Sequence, residues 1–95
     1  MRIKNRRSRA EPSDDIWFVY MLRCADSSLY TGIAKDLNRR GQQHNAGTAS
    51  RYTRSRRPTQ LVYHEAHPDR SRALRREATI KAMTRRAKEM LLRQQ

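Results

Sequence analysis

An α+β domain with the element order ββαβαα is predicted by three observations. Residues 16–24, IWFVYMLRC, form a nearly continuous apolar and β-favouring run, and SLYTGI follows it after the turn-forming ADSS, which is a hairpin pattern. A third β-favouring run, QLVYHEA, begins at residue 60. The segments after the second and third runs carry helical spacing bounded by capping residues. At 95 residues the chain has room for one hydrophobic core.

In chain order, residues 1–14 hold five basic residues, a proline and few apolar groups, and they cannot offset the entropy of ordering. They are expected to be a disordered basic arm, leaving residues 15–95 as the folded domain. The first strand has no polar alternation, so both of its faces should be covered. Asp36 stands as N-cap or first-turn acid of a helix DLNRRGQQHNAG, and Gly47 as its stop. The stretch TASRYTRSRRPT has no apolar period and reads as an exposed loop. Beyond Pro68, Ala73, Leu74, Ala78 and Ile80 recur at helical intervals, and Thr84 caps a final helix RRAKEMLLRQQ.

The net charge of +13 exceeds what solubility requires and points to a polyanionic partner, with nucleic acid ahead of a membrane surface. No apolar run approaches the roughly 18 residues of a membrane span, and the N-terminus lacks a signal-peptide core, so the expected compartment is the cytoplasm. Cys24 is the single cysteine, which excludes an intramolecular disulfide and a multi-cysteine zinc site. His64 and His67 have no third ligand nearby in the sequence and are not read as a metal site.

Several polar groups converge on the predicted hairpin and first helix. Tyr20 lies on the first strand, Tyr30 and Gly32 on the second, and Arg40 and His44 share one helical face. Each has an ordinary structural reading as well: strand tyrosines pack in cores, a strand glycine permits close approach, and an Arg/His pair is often a solvated face. Glu77 sits beside the apolar stripe of its helix, where periodicity alone favours an ion pair with Arg70 or Lys81 over a catalytic acid.

The strand tripeptides VYM and YTG, followed by an arginine and a histidine on the next helix, resemble the GIY-YIG nuclease superfamily. More closely, YMLRCADSSLYTGIAKDLNRRGQQHNAGTASRYT is similar to the small stand-alone bacterial GIY-YIG proteins of the UPF0213 type. The resemblance covers residues 16 to about 92. It implies a three-stranded antiparallel sheet flanked by helices, and hydrolysis of phosphodiesters in DNA. It also implies that Tyr20, Tyr30, Arg40, His44 and Glu77 are the catalytic set, with Gly32 as the motif glycine. Glu77 would hold one Mg²⁺ or Mn²⁺ ion, weakly without substrate, and Tyr20 or Tyr30 would help deprotonate the attacking water. That role needs a lowered tyrosine pKa, for which Arg40 and the metal supply nearby positive charge.

Arg39, Arg51, Arg54, Arg56 and Arg57 are the further nucleic-acid contacts, the last four grouped around Tyr52 as a phosphate and stacking surface. DNA is the expected partner, with RNA as the second polyanion, and a monomer the expected state. A structure-directed nuclease used in DNA repair or processing is the leading reading. The alternative is a nucleic-acid-binding module that keeps the nuclease scaffold without turnover. A basic protein that docks on an acidic protein or ribosomal surface accounts for the charge but not for the tyrosines, Arg40 and Glu77.

Overall fold

The computed structural model describes residues 15–94. The expected basic arm, residues 1–14, lies outside the described residues. The elements are β1 (Trp17–Arg23), β2 (Leu29–Ala34), α1 (Leu37–Ala46), the short α2 (Arg51–Arg54), β3 (Gln60–His67), α3 (Arg70–Lys81) and α4 (Arg85–Arg93). They build an α+β fold with a three-stranded antiparallel sheet in the order β2-β1-β3.

The central place of β1 explains its unbroken apolar sequence, because both faces are covered. On one face Val19 and Met21 meet Ala73 and Ile80 of α3, with Leu91 and Leu92 of α4 packed alongside. On the other, Tyr20 and Leu22 pack with Tyr30 and Ala34 of β2 and Leu37 of α1. Burying each large side chain of this core stabilises the fold by roughly 1.5–3 kcal/mol. Cys24, directly after β1, is a buried free thiol.

Local chemistry closes the connections. In the β1–β2 turn Ser27 takes a left-handed φ of 71°, and Asp26 Oδ1 accepts from both the backbone N–H and the hydroxyl of Ser28. Asp36, Asp69 and Thr84 cap α1, α3 and α4, each accepting from the backbone N–H three residues on. Gly47 ends α1 at φ 83°, a conformation that favours glycine. At the far end, Arg23 of β1 grips Glu89 of α4 through two bonds of 2.7 and 2.9 Å. Arg85 joins the same carboxylate at 3.1 Å.

Two sequence expectations are corrected. The segment read as an exposed loop contains α2, capped by Ser50, and Thr53 within it is fully buried. The reason is a hydrogen bond rather than an apolar contact, so no hydrophobic period marks it. On α3 only Ala73 and Ile80 of the four spaced apolar residues are buried, while Leu74 stays 37% exposed. The face turned to the sheet therefore runs Ala73, Glu77, Ile80, four and then three residues apart, with Glu77 on it.

Candidate active site

The β1–β2 register sets Tyr20 directly across from Gly32 and Leu22 across from Tyr30. Both tyrosines thus fall on the face covered by α1. The close approach is possible because residue 32 has no Cβ: one placed there would stand 2.6 Å from the Tyr20 hydroxyl and 2.7 Å from its Cζ. From α1, His44 is turned inward and completely buried. Its Nε2 lies 2.8 Å from the Tyr20 hydroxyl, and its Nδ1 lies 2.7 Å from Thr53 Oγ1 of α2. Thr53 Oγ1 continues the chain to Ser50 Oγ at 2.8 Å. The Tyr30 ring stands edge-on to His44 at 5.0 Å and stacks on Tyr52 at 5.9 Å.

Electrostatics sets the charge states in this chain. Burial pushes the Tyr20 phenol well above the usual tyrosine range, with Tyr30 adding to the shift and Arg40 opposing it. Burial, assisted by the positive charge of Arg40, holds His44 below its ordinary value. The phenol is therefore protonated and the imidazole neutral, with each ring nitrogen facing one hydroxyl, Nε2 that of Tyr20 and Nδ1 that of Thr53. Arg40 does not make Tyr20 a resting phenolate, because desolvation in the sheet outweighs it. Glu77 is near enough that its carboxylate also disfavours the phenolate at Tyr20. Tyr20 thus feels Tyr30, His44, Arg40 and Glu77 together.

Glu77 has a 16% exposed side chain and pairs with Lys81 at 3.3 Å, the partner that helical spacing allowed. Among the described residues no three His, Cys, Asp or Glu side chains gather into a metal-binding group. His67 is instead bound to Glu65 at 2.6 Å, where Arg76 also donates at 2.9 Å.

The predicted nucleic-acid contacts separate into two kinds. Arg39 is exposed on α1, in a hollow with Trp17, Lys35 and Arg40. Arg51 and Arg54 are exposed on α2 and have no acidic partner among the described residues. Arg56 is committed: its Nε donates to Asp26 at 2.9 Å, its Nη1 to the Tyr52 carbonyl, and its guanidinium lies 3.8 Å over the Tyr52 ring. Arg57 donates to the carbonyls of Arg54 and Asn45. With Tyr30 and Arg56 both packed on the Tyr52 ring, the stacking platform expected there is already occupied.

Sequence reasoning missed Thr53 and Ser50, which hold His44, and Thr31, whose buried hydroxyl has no hydrogen-bond partner. An S-x-x-T cap preceding an arginine cluster was the only available signal for the first pair.

Residues 16–90 match the GIY-YIG catalytic domain. The chain belongs to the GIY-YIG family. UPF0213 proteins of Staphylococcus aureus strains Mu3 and Mu50 are each 49% identical to it over 80 residues, which cover 84% of this chain and 98% of theirs. A UPF0213 protein of Bacillus halodurans, solved by solution NMR, superposes with a TM-score of 0.56 at 40% identity, over 84% of this chain and 85% of that one. The GIY-YIG domain is a nuclease domain and implies a nucleic-acid substrate. Among the described residues no helix is long and apolar enough to cross a membrane.

Proposed function

We propose that this GIY-YIG chain is a metal-dependent nuclease that hydrolyses phosphodiester bonds in DNA, with the Tyr20–His44 pair managing the proton of the attacking water. The observation that carries this reading is the buried bond of 2.8 Å between the Tyr20 hydroxyl and His44 Nε2, backed by Thr53 at Nδ1. A phenol and an imidazole in contact give a proton a place to go. Tyr20 Oη takes the proton of water as its own moves to Nε2, so no free phenolate has to form in a buried site. In this relay the imidazole proton sits on Nδ1 and is donated to Thr53 Oγ1, which leaves Nε2 open to accept. The Arg40 guanidinium offsets negative charge developing on the phosphoryl oxygens.

Glu77 offers a single carboxylate, which fits Mg²⁺ or Mn²⁺ keeping most of its waters and sharing oxygens of the substrate. Such an ion would supply Lewis-acid stabilisation at the phosphate. Weak binding without nucleic acid follows, because Lys81 already neutralises Glu77. Phosphate contacts carry no base information, so a surface of exposed arginines that tracks the backbone favours selection by nucleic-acid structure over selection by sequence, as suits repair or processing of DNA.

The test incubates the full chain with labelled duplex, flap, branched and single-stranded DNA and with RNA, under Mg²⁺, Mn²⁺ or chelator. Cleavage of DNA with metal is expected. Glu77→Gln should lower the rate at least a hundredfold, roughly 2.7 kcal/mol, while binding persists. Arg40→Ala should weaken cleavage and binding together. Binding without cleavage of any substrate would replace this reading with a non-catalytic nucleic-acid-binding module.

A further inference from the structure

Beside the tyrosines, a hollow between β2, α2 and the α3–α4 corner is lined by Leu29, Tyr30, Thr31, Tyr52, Lys81 and Lys88. Thr31 is 3% exposed, and its hydroxyl makes no hydrogen bond. Buried hydroxyls are almost always satisfied, so an orphaned one on a residue that lines a hollow marks a place for a polar atom from elsewhere, reached as the hollow widens. Lys88 has no acidic partner among the described residues, so its charge is available to a ligand. Lys81 bridges the hollow to the site: its Nζ is 3.3 Å from the Glu77 carboxylate. One hydroxyl donor and two ammonium groups suit a tetrahedral oxyanion.

We propose that this hollow is a phosphate subsite for the nucleic-acid strand, holding the phosphate next to the one attacked beside Glu77. The inference rests on the nuclease reading and adds to it a second contact point and two residues, Thr31 and Lys88, that the motif residues do not include. When the strand binds, the Thr31 hydroxyl donates to a phosphoryl oxygen, Lys88 pairs with the same group, and Lys81 turns from Glu77 toward it. Release of Lys81 frees the Glu77 carboxylate as substrate arrives.

The experiment measures binding of a fluorescent oligonucleotide, single-stranded and duplex, to the full chain in chelator across a salt series, for wild type, Thr31→Val and Lys88→Met. Thr31→Val should weaken binding about tenfold, the loss of one hydrogen bond to a charged group, without changing the salt slope. Its melting temperature should hold or rise, because valine suits a strand and leaves no orphaned hydroxyl. A purely structural threonine would give the opposite pattern. Lys88→Met should reduce the log–log salt slope by about 0.7–0.9, the value for one neutralised phosphate. Inorganic phosphate, followed by the Thr31 and Lys88 amide signals, should bind weakly and be displaced by the oligonucleotide. Wild-type affinity and slope in both variants would overturn the subsite, even with wild-type cleavage intact. Tight inorganic phosphate that the oligonucleotide fails to displace would overturn it in favour of a free-phosphate site. A wild type that binds no nucleic acid would defeat the nuclease reading itself, and this inference with it.

Discussion

Gly32→Ala puts the geometry of the tyrosine–histidine pair under direct test. The added Cβ would meet Tyr20 Oη at 2.6 Å and Cζ at 2.7 Å, both well inside contact distance. Tyr20 has nowhere simple to go: it is 2% exposed, and its hydroxyl is held by His44 at 2.8 Å. The ring must tilt or β2 must shift. Overpacking of this kind costs about 1–3 kcal/mol, and loss of the Tyr20–His44 bond adds about 1 kcal/mol, so a total of about 2–4 kcal/mol is expected. In a domain of this size that lowers the melting temperature by roughly 10–25 °C. Gly41→Ala is the matched control, since a Cβ there meets nothing within 4 Å. On α1 it should stabilise by about 0.5–1 kcal/mol, because alanine loses less backbone entropy than glycine. Thermal melts by circular dichroism read both variants, and cleavage assays below the melting range read the consequence for activity, expected to fall sharply in Gly32→Ala alone. If Gly32→Ala melts within about 2 °C of wild type and cuts at the same rate, the close approach of Tyr20 to β2 is not a constraint and the reasoning fails.

Thr53→Val removes the oxygen that faces His44 Nδ1 at 2.7 Å; a destabilisation of about 1–3 kcal/mol is expected, with a ¹⁵N chemical-shift change at Nδ1 reporting loss of that hydrogen bond. Glu89 is held at about 2 by hydrogen bonds from Arg23 and then Arg85, against the ordinary glutamate value of 4.5 in the unfolded chain. The stability it contributes is therefore complete above pH 4.5 and is lost as pH falls toward 2, so the acid limb of a urea-midpoint profile should be flatter in Glu89→Gln over that interval. Replacing Arg51 and Arg54 by alanine should lower the salt slope of nucleic-acid binding by about 0.7–0.9 for each phosphate that is no longer neutralised. The double replacement of Arg56 and Arg57 should leave that slope nearly unchanged while lowering the melting temperature, because these side chains bind Asp26, Tyr52, Arg54 and Asn45 instead.

What the sequence determined by itself was whatever local rules govern. The apolar run of β1, the turn residues before β2, the caps Asp36 and Thr84 and the stop at Gly47 act through neighbours within a few positions, so their pattern is written in order along the chain. The resemblance to the GIY-YIG family implied Tyr20, Tyr30, Arg40, His44 and Glu77 as a set, and a hairpin followed by a helix accounts for the approach of the first four alone. Tertiary structure decided what those groups are bonded to. Thr53 reaches His44 across 9 positions and Arg56 reaches Asp26 across 30, and neither bond leaves a periodic trace because each joins one polar atom to another. The same holds for protonation: Arg40 argued for an acidified tyrosine, but burial of Tyr20 within the sheet outweighs it. Charge can be counted from composition, whereas desolvation depends on which side chains the fold stacks around a group, and that is set only when β2, α1 and α2 have closed over β1.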